Sequence, residues 1–303
     1  LSALEDQATV PAGSARLAFT TDAFVVRPLF FPGGDIGRLA VCGTVNDLAV
    51  GGARPRHLSA AFILEEGFPI DDLRRIAASM AAACREAGVR VVAGDTKVVD
   101  AGKGDGVFIA TSGVGEVPDG VSLSVHAARP GDRILVSGPV GDHGAAILSV
   151  REGLGFESAI ESDCAPVADL ASALLEACPG TRLMRDPTRG GLTAVLHEIA
   201  AASGVGLRID EEAVPVRPQV RGLCEVLGLD PLSMACEGRL VAVVPAESAR
   251  DARAALASHA AGRDAALIGE VLADGKGHVR VRSVSGGERR LPLPAGEPLP
   301  RIC

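Results

Sequence analysis

The sequence predicts an α+β chain of two domains followed by an extended tail. Three observations carry this reading. At 303 residues and 47% hydrophobic composition, the chain exceeds the usual size of one domain and can bury large cores. Apolar, partly β-branched runs alternate with helical periodicity twice over along its length. Between the two passes stands the turn chemistry Arg129-Pro130-Gly131-Asp132, in "HAARPGDRILVSG" (126–138).

The first domain is assigned to residues 1–120. "RLAFTTDAFVV" (16–26) and "RHLSAAFIL" (56–64) read as strands. In "PIDDLRRIAASMAAACREAG", Leu73, Ile76, Ala77, Met80 and Cys84 recur at helical spacing behind an acidic first turn, and Gly88 stands where a C-cap belongs. "VRVVAGDTKVV" (89–99) reads as a buried strand and "DGVFIATSGVGEV" (105–117) as another, completing two β-α-β-like passes. The second domain, 126–290, repeats the grammar. It opens with a strand in 126–138, followed by a helix over 167–178, the loop "RDPTRGG", the helix "LTAVLHEIAAASG" and the strand "GLRID". A helix near 217–227, the strand "GRLVAVVP", the helix "SARDARAALASHA" and the strand "AALIGEV" complete it. Two units of like order predict paired sheets with helices outside. The tail, 291–303, carries Pro292, Pro294, Pro298 and Pro300 and reads as a flexible, polyproline-like segment that adds little to either core.

Composition excludes several function classes. The formal charge is −8 and the basic residues are scattered, so neither nucleic acid nor an anionic membrane is expected as a partner. Apolar runs are short and no targeting pattern opens the chain, which predicts a soluble, cytoplasmic protein. The seven cysteines contain no C-x-x-C pair, which argues against a zinc knuckle or a disulfide framework. Six read as inert small hydrophobes, and the seventh, Cys303, is the last residue. The sequence begins at Leu1 and enters a strand-like run almost at once, as a chain shortened at its start would.

Four acidic or mixed segments are expected at element ends, where side chains converge on one cleft: "TTDAFV" (20–25), "CGTVNDLAVGG" (42–52), "AGDTKV" (93–98) and "RDPTRGG" (185–191). Asp22, Asp47, Asp95 and Asp186 are hard oxygen ligands of the kind Mg²⁺ takes, commonly with phosphates in its remaining positions. Lys97 and Arg189 are cations suited to phosphate, and Gly190 and Gly191 open a helix whose first N–H groups favour anions. No Walker or dinucleotide-binding glycine motif is present, so a nucleotide would bind through metal and carboxylates. His143, in "SGPVGDHGAAIL", is placed in a glycine-rich turn ahead of a helix, facing a site or bonding the turn. His197–Glu198 reads as a helix-surface pair, and Glu237, before Gly238, as either a solvated turn acid or a proton acceptor.

Taken together, "RDPTRGG", "TTDAFV" and "GDTKV" resemble the ATP-binding superfamily that includes aminoimidazole ribonucleotide synthetase, selenophosphate synthetase and thiamine monophosphate kinase. Within it, "RPLFFPGGDIGRLAVCGTVNDLAV", "AFILEEGFPI", "SGPVGDHGAAIL" and the terminal "PLPRIC" are similar to the HypE family of hydrogenase maturation proteins, over essentially all 303 residues. The ending is the most specific element.

The resemblance implies two α/β-sandwich-like domains of the aminoimidazole ribonucleotide synthetase-like superfamily, in a homodimer that shares its nucleotide clefts. It implies a carbamoyl dehydratase. Cys303 accepts a carbamoyl group from the carbamoyltransferase HypF, ATP drives dehydration to a thiocyanate, and cyanide passes to iron on the HypC–HypD complex for a [NiFe]-hydrogenase centre. It maps Mg²⁺ ligands onto Asp22, Asp47 and Asp95, and catalysis onto Cys303, Lys97 and Glu237 as base. Nucleotide contacts map onto these aspartates together with Asn46, Thr96, Asp186, Thr188, Arg189, Gly190 and Gly191. The family's leading segment, of His-Gly-Ser-Gly-Gly type, does not fall within these residues. Alternatives are a sister ATP-dependent phosphotransfer enzyme and a non-catalytic thiol carrier.

Overall fold

A computed structural model describes residues 5–153, 160–293, 299 and 301–303. β1 (Ala8–Ala12) and β2 (Ala15–Phe24) form a hairpin, and β3 (Phe30–Phe31) with β4 (Gly34–Asp35) makes a short ribbon leading into α1 (Ile36–Val50). Asp35 caps α1, accepting from the N–H groups of Gly37 at 2.8 Å and Arg38 at 3.0 Å. β5 (Arg54–Glu65), α2 (Ile70–Glu86), β6 (Arg90–Val99) and β7 (Val107–Glu116) complete a five-stranded sheet of order β1-β2-β7-β5-β6. Among the described residues of this sheet only β5 and β6 pair in parallel, joined through α2.

The second unit contains β8 (Arg133–Val136), α3 (Asp142–Arg151), α4 (Ala168–Ala177), β9 (Leu183–Arg185), α5 (Gly191–Ser203) and β10 (Gly206–Asp210). α6 (Pro218–Leu227), β11 (Val241–Val244), α7 (Ala249–Ala257), β12 (Ala266–Leu272), β13 (Val279–Arg282) and β14 (Glu288–Arg290) follow. Its seven strands run β14-β13-β10-β12-β8-β11-β9. Among the described residues no helix is long and apolar enough to cross a membrane.

The two sheets do not pair face to face within the chain with helices outside. α1 is apolar around its whole circumference, and all its residues but Arg38 and Asp47 are buried. One side faces the five-stranded sheet, while Ala49 and Val50 share a cluster with Leu135, Leu170, Leu174 and Met184 of the second unit. Helices therefore lie between the sheets. Asn46 pins this joint: its Nδ2 donates to the carbonyls of Ala165 at 3.1 Å and Glu237 at 3.2 Å, and its Oδ1 accepts from the N–H of Val167 at 2.8 Å.

Two further expectations change. β6, read as a buried strand, is an exposed edge: Val92 and Val98 are 62% and 66% accessible. A run rich in β-branched residues serves a central strand and an uncovered edge equally well, and periodicity cannot separate them. The chain end, read as adding little to a core, packs into the first one, where Leu299 and Ile302 are buried. The expected extended path through Pro294, Pro298 and Pro300 lies outside the described residues.

Asn46→Ala leaves the buried N–H of Val167 and the carbonyl of Ala165 without partners, while the Glu237 carbonyl keeps the N–H of Ala165. It is expected to cost about 2–3 kcal/mol, read as a lowered denaturant midpoint at unchanged slope.

Candidate functional site

Three of the segments expected at element ends run along the later parts of β2, α1 and β6, and "RDPTRGG" links β9 to α5. Asp22 lies inside β2, Asp47 in the last turn of α1, and Asp95 in the middle of β6, while Asp186 directly follows β9. The fold brings Asp22, Asp47 and Asp186 together because α1 crosses β2 closely. A Cβ at Gly43 would stand 2.8 Å from the Phe24 ring, so only glycine admits the crossing.

A fourth acid joins them that sequence reasoning missed. Ligand oxygens of Asp6, Asp47 and Asp186 all lie within 4.8 Å of one another. The register of the β1–β2 hairpin, Ala8 opposite Phe19, carries Asp6 back beside Thr20. The Thr20 hydroxyl sits 2.7 Å from Asp47 Oδ2 and 2.9 Å from the Asp6 carbonyl. Arg185 holds the arm down, 3.1 Å from Asp6 and 2.6 Å from Glu198, which is thereby more than a helix-surface acid. The signal available was the turn "PAGSA" before a strand-like run; it predicts a hairpin and so a return of the acids preceding it.

Electrostatics mark the cluster as poised for a cation. Burial, then Asp186, Asp22 and Asp6, push the Asp47 carboxyl well above the usual range, and burial followed by Asp186 does the same to Asp6. Burial moves Asp186 up to about 6, and raises Asp22, against which Arg189 works. Hard oxygens whose mutual repulsion Arg185 and Arg189 offset only in part make a donor set that fits Mg²⁺. The residues that would hold it are Asp6, Asp47 and Asp186, with Asp22 adjacent.

Asp95, Thr96 and Lys97 are not brought to this cluster. On the exposed edge strand, Lys97 Nζ stands 3.2 Å from Asp95 and the Thr96 N–H donates to the same carboxylate at 2.8 Å. The Lys97 bond, then that of Thr96, holds Asp95 below its ordinary value. Asn46, mapped as a nucleotide contact, has both amide atoms committed to backbone at the joint.

The "RDPTRGG" loop behaves as expected at its glycines. Gly191 has φ 60°, and a Cβ there would stand 2.4 Å from the Met234 carbonyl oxygen. Gly190 precedes the first turn of α5, Thr188 is half-buried, and Arg189 is exposed beside Asp22.

Glu237 is not a solvated turn acid. It is 2% exposed, its N–H donates to Asp163 at 3.0 Å, and its Oε1 has no hydrogen-bond partner among the described residues. Burial, then Asp186, Asp163 and Asp22, push its carboxyl well above the usual range. A buried acid oriented by its backbone and left with an open oxygen is equipped to exchange a proton with something that enters. Six cysteines are buried and Cys303 is partly so, packed on the core cluster that contains Cys42 and Cys164. His143 lies in the first turn of α3 rather than ahead of it, and holds the chain end.

Known proteins share both the sequence and this architecture. Residues 4–117 match the AIR synthase related protein N-terminal domain and residues 129–282 its C-terminal domain. The carbamoyl dehydratase HypE of Azotobacter vinelandii is 58% identical over 298 residues, covering 98% of this chain and 87% of that protein. Among solved structures, HypE in complex with ATP superposes with a TM-score of 0.92 at 48% identity, covering 98% of this chain and 90% of that one. A chain of the HypE–HypF complex gives a TM-score of 0.92 at 48% identity, covering 96% and 93%.

Two effects of Asp47→Asn are expected. The chelator-treated variant unfolds at a higher temperature than wild type, because one of several buried like charges is gone. Mg²⁺ at about a hundredfold over its Kd stabilises wild type by about 2.7 kcal/mol, and the variant loses most of that gain. Calorimetry with and without Mg²⁺ decides; equal gains remove Asp47 from the ligands.

Proposed function

The chain belongs to the AIR synthase related family and, within it, to the HypE proteins; from that premise we propose an ATP-dependent carbamoyl dehydratase that carries its substrate group on its own Cys303. The group arrives from the carbamoyltransferase HypF as S–C(=O)NH₂ and leaves as S–C≡N, which supplies cyanide for the iron of a [NiFe]-hydrogenase. HypC–HypD is the iron-bearing acceptor.

The chemistry needs a better leaving group than water. The carbamoyl oxygen attacks the γ-phosphorus of ATP, ADP departs and one N–H proton is lost. The C–O bond then breaks, phosphate leaves with the electron pair, and the second N–H proton passes to a base as the C≡N bond forms. Thiocyanate, ADP and phosphate are the products, and the carbamoyl oxygen ends in phosphate.

Glu237 is the observation that carries this reading. Its open, buried carboxyl is raised in basicity by burial and by Asp186, Asp163 and Asp22, which suits it to accept that proton. Its N–H bond to Asp163 fixes where the carboxyl stands. Mg²⁺ held by Asp6, Asp47 and Asp186 supplies charge neutralisation for the phosphate oxygens. Arg189, beside Asp22, and the first turn of α5 after Gly190 and Gly191 face the same anionic group.

Asp95, Thr96 and Lys97 enter through a homodimer. The uncovered β6 edge, with Val91, Val92 and Val98 exposed, supports association through this strand, which carries the three residues toward the partner's cleft.

Glu237→Gln is expected to accept the carbamoyl group at the wild-type rate and to lower thiocyanate formation by a factor of about 10² or more, read by mass spectrometry of the terminal peptide. Wild-type conversion would remove Glu237 as the base. For the dimer, mixing Asp47→Asn subunits with Lys97→Ala subunits restores activity in hybrids, since one cleft of each hybrid is intact. No restoration, or a monomer by light scattering at micromolar concentration, overturns the shared cleft.

A further inference from the structure

His143 is fully buried in the first turn of α3. Its Nε2 stands 2.7 Å from the carbonyl oxygen of Ile302 and its Nδ1 2.8 Å from Ser162 Oγ. The Ile302 carbonyl only accepts, so Nε2 bears the hydrogen and Nδ1 accepts from the Ser162 hydroxyl. Ser162 Oγ in turn accepts from the N–H of Cys164 at 3.1 Å, which closes one directed chain of bonds. Phe31 meets the ring edge-on, 5.3 Å between centroids at 85°, and fixes its plane.

The rest of the dock also grips backbone. The Arg301 carbonyl accepts from the N–H of Arg27 at 3.2 Å and from the Arg151 guanidinium, and Arg301 Nη1 binds Asp105 at 2.6 Å. Arg301 has φ 56°, the one left-handed non-glycine conformation among the described residues, and it turns Ile302 inward to 2% exposure. Asp163, between Ser162 and Cys164, is the residue that fixes the Glu237 N–H. One short segment thus joins the holder of the chain end to the holder of the proton acceptor.

We propose that His143 is a positioning residue that latches the last peptide carbonyl, so that the terminal thiol is registered relative to Glu237 when docked and exposed when released. The proposal rests on the reading of Cys303 as the carrier. It assigns to His143 the choice between two states of one thiol: released for loading and docked for dehydration. The latch binds the penultimate residue, so it reads position relative to the chain end rather than the group on sulfur.

The test separates the two states. Iodoacetamide alkylation of Cys303, followed on the terminal peptide, is expected to be about tenfold faster in His143→Ala than in wild type, the loss of one well-made hydrogen bond. Loading by HypF stays at or above the wild-type rate, and conversion of the preloaded carbamoyl form falls by about tenfold or more. His143→Gln, whose amide can donate to Ile302 and accept from Ser162, recovers part of both effects. A merely structural role would instead depress loading together with conversion. If His143→Ala does not fold, Ser162→Ala keeps the ring and removes its hydrogen-bond donor, and its alkylation of Cys303 is expected to accelerate in the same direction. Unchanged alkylation in the folded variant overturns the latch. Faster alkylation in a protein whose wild type makes no thiocyanate upholds the latch and defeats the dehydratase reading instead.

Discussion

Much of the structure follows from one constraint: α1 is covered on every side and still carries Asp47. A carboxylate at such a position is costly unless something answers its charge. Here the neighbours worsen the cost, because Asp22 comes from β2, Asp6 from the arm before β1 and Asp186 from the loop after β9. The acids are drawn from both domains, so the cluster exists only when both have folded and docked. Asn46, one residue before Asp47, welds that joint through three backbone partners. Stability of the interface and placement of the charge are therefore properties of the same helical turn. A divalent cation held among these oxygens would relieve the repulsion that the fold imposes.

The legible part of the sequence is the part whose pattern has one physical meaning. The α2 segment alternates apolar and charged residues at helical spacing with an acidic first turn, and the helix appears where that pattern begins and ends. β7 alternates buried with less buried residues along its length, as a half-covered strand should. β6 misleads because an apolar run states what the strand prefers to touch and leaves open what covers it. The consequence reaches the site, since Asp95 and Lys97 ride on that strand and do not line, within one chain, the cleft expected of them. Asp6 is hidden because its role depends on hairpin register, and the choice between the two readings of Glu237 stays open because an acid before glycine looks the same whether solvated or enclosed. Asn46 reads as a ligand contact since motif resemblance marks a position without distinguishing a contact from its scaffold.

The chain end exposes a limit of composition-based reasoning. Prolines and a terminal cysteine argue for a mobile carrier, and a carrier must indeed travel. Yet Leu299 and Ile302 are apolar residues whose burial favours docking, and backbone bonds from Arg27, Arg151 and His143 add to it. Ordering the tail opposes these gains at roughly 1–2 kcal/mol per residue. A shuttling thiol requires that the net preference be small: a bias of about 1.4 kcal/mol already leaves only one tail in ten released.

Loading cannot by itself reset that balance. The carbamoyl group is added at sulfur, whereas the latch holds the carbonyls of Arg301 and Ile302 and the side chain of Ile302, and none of these changes on loading. A modification alters an equilibrium only by its differential interaction with the two states. The difference must arise where the sulfur points and not where the backbone is held. On the proposed function that place is the cleft containing Glu237 and the four aspartates, where nucleotide and carbamoyl oxygen approach each other. Docking then becomes favourable for the loaded tail in the presence of ATP, while the unloaded tail keeps only the weak bias of the latch. On that reading the carboxylate cluster, by holding the cation that binds the phosphates, would give the nucleotide its leverage over the position of Cys303.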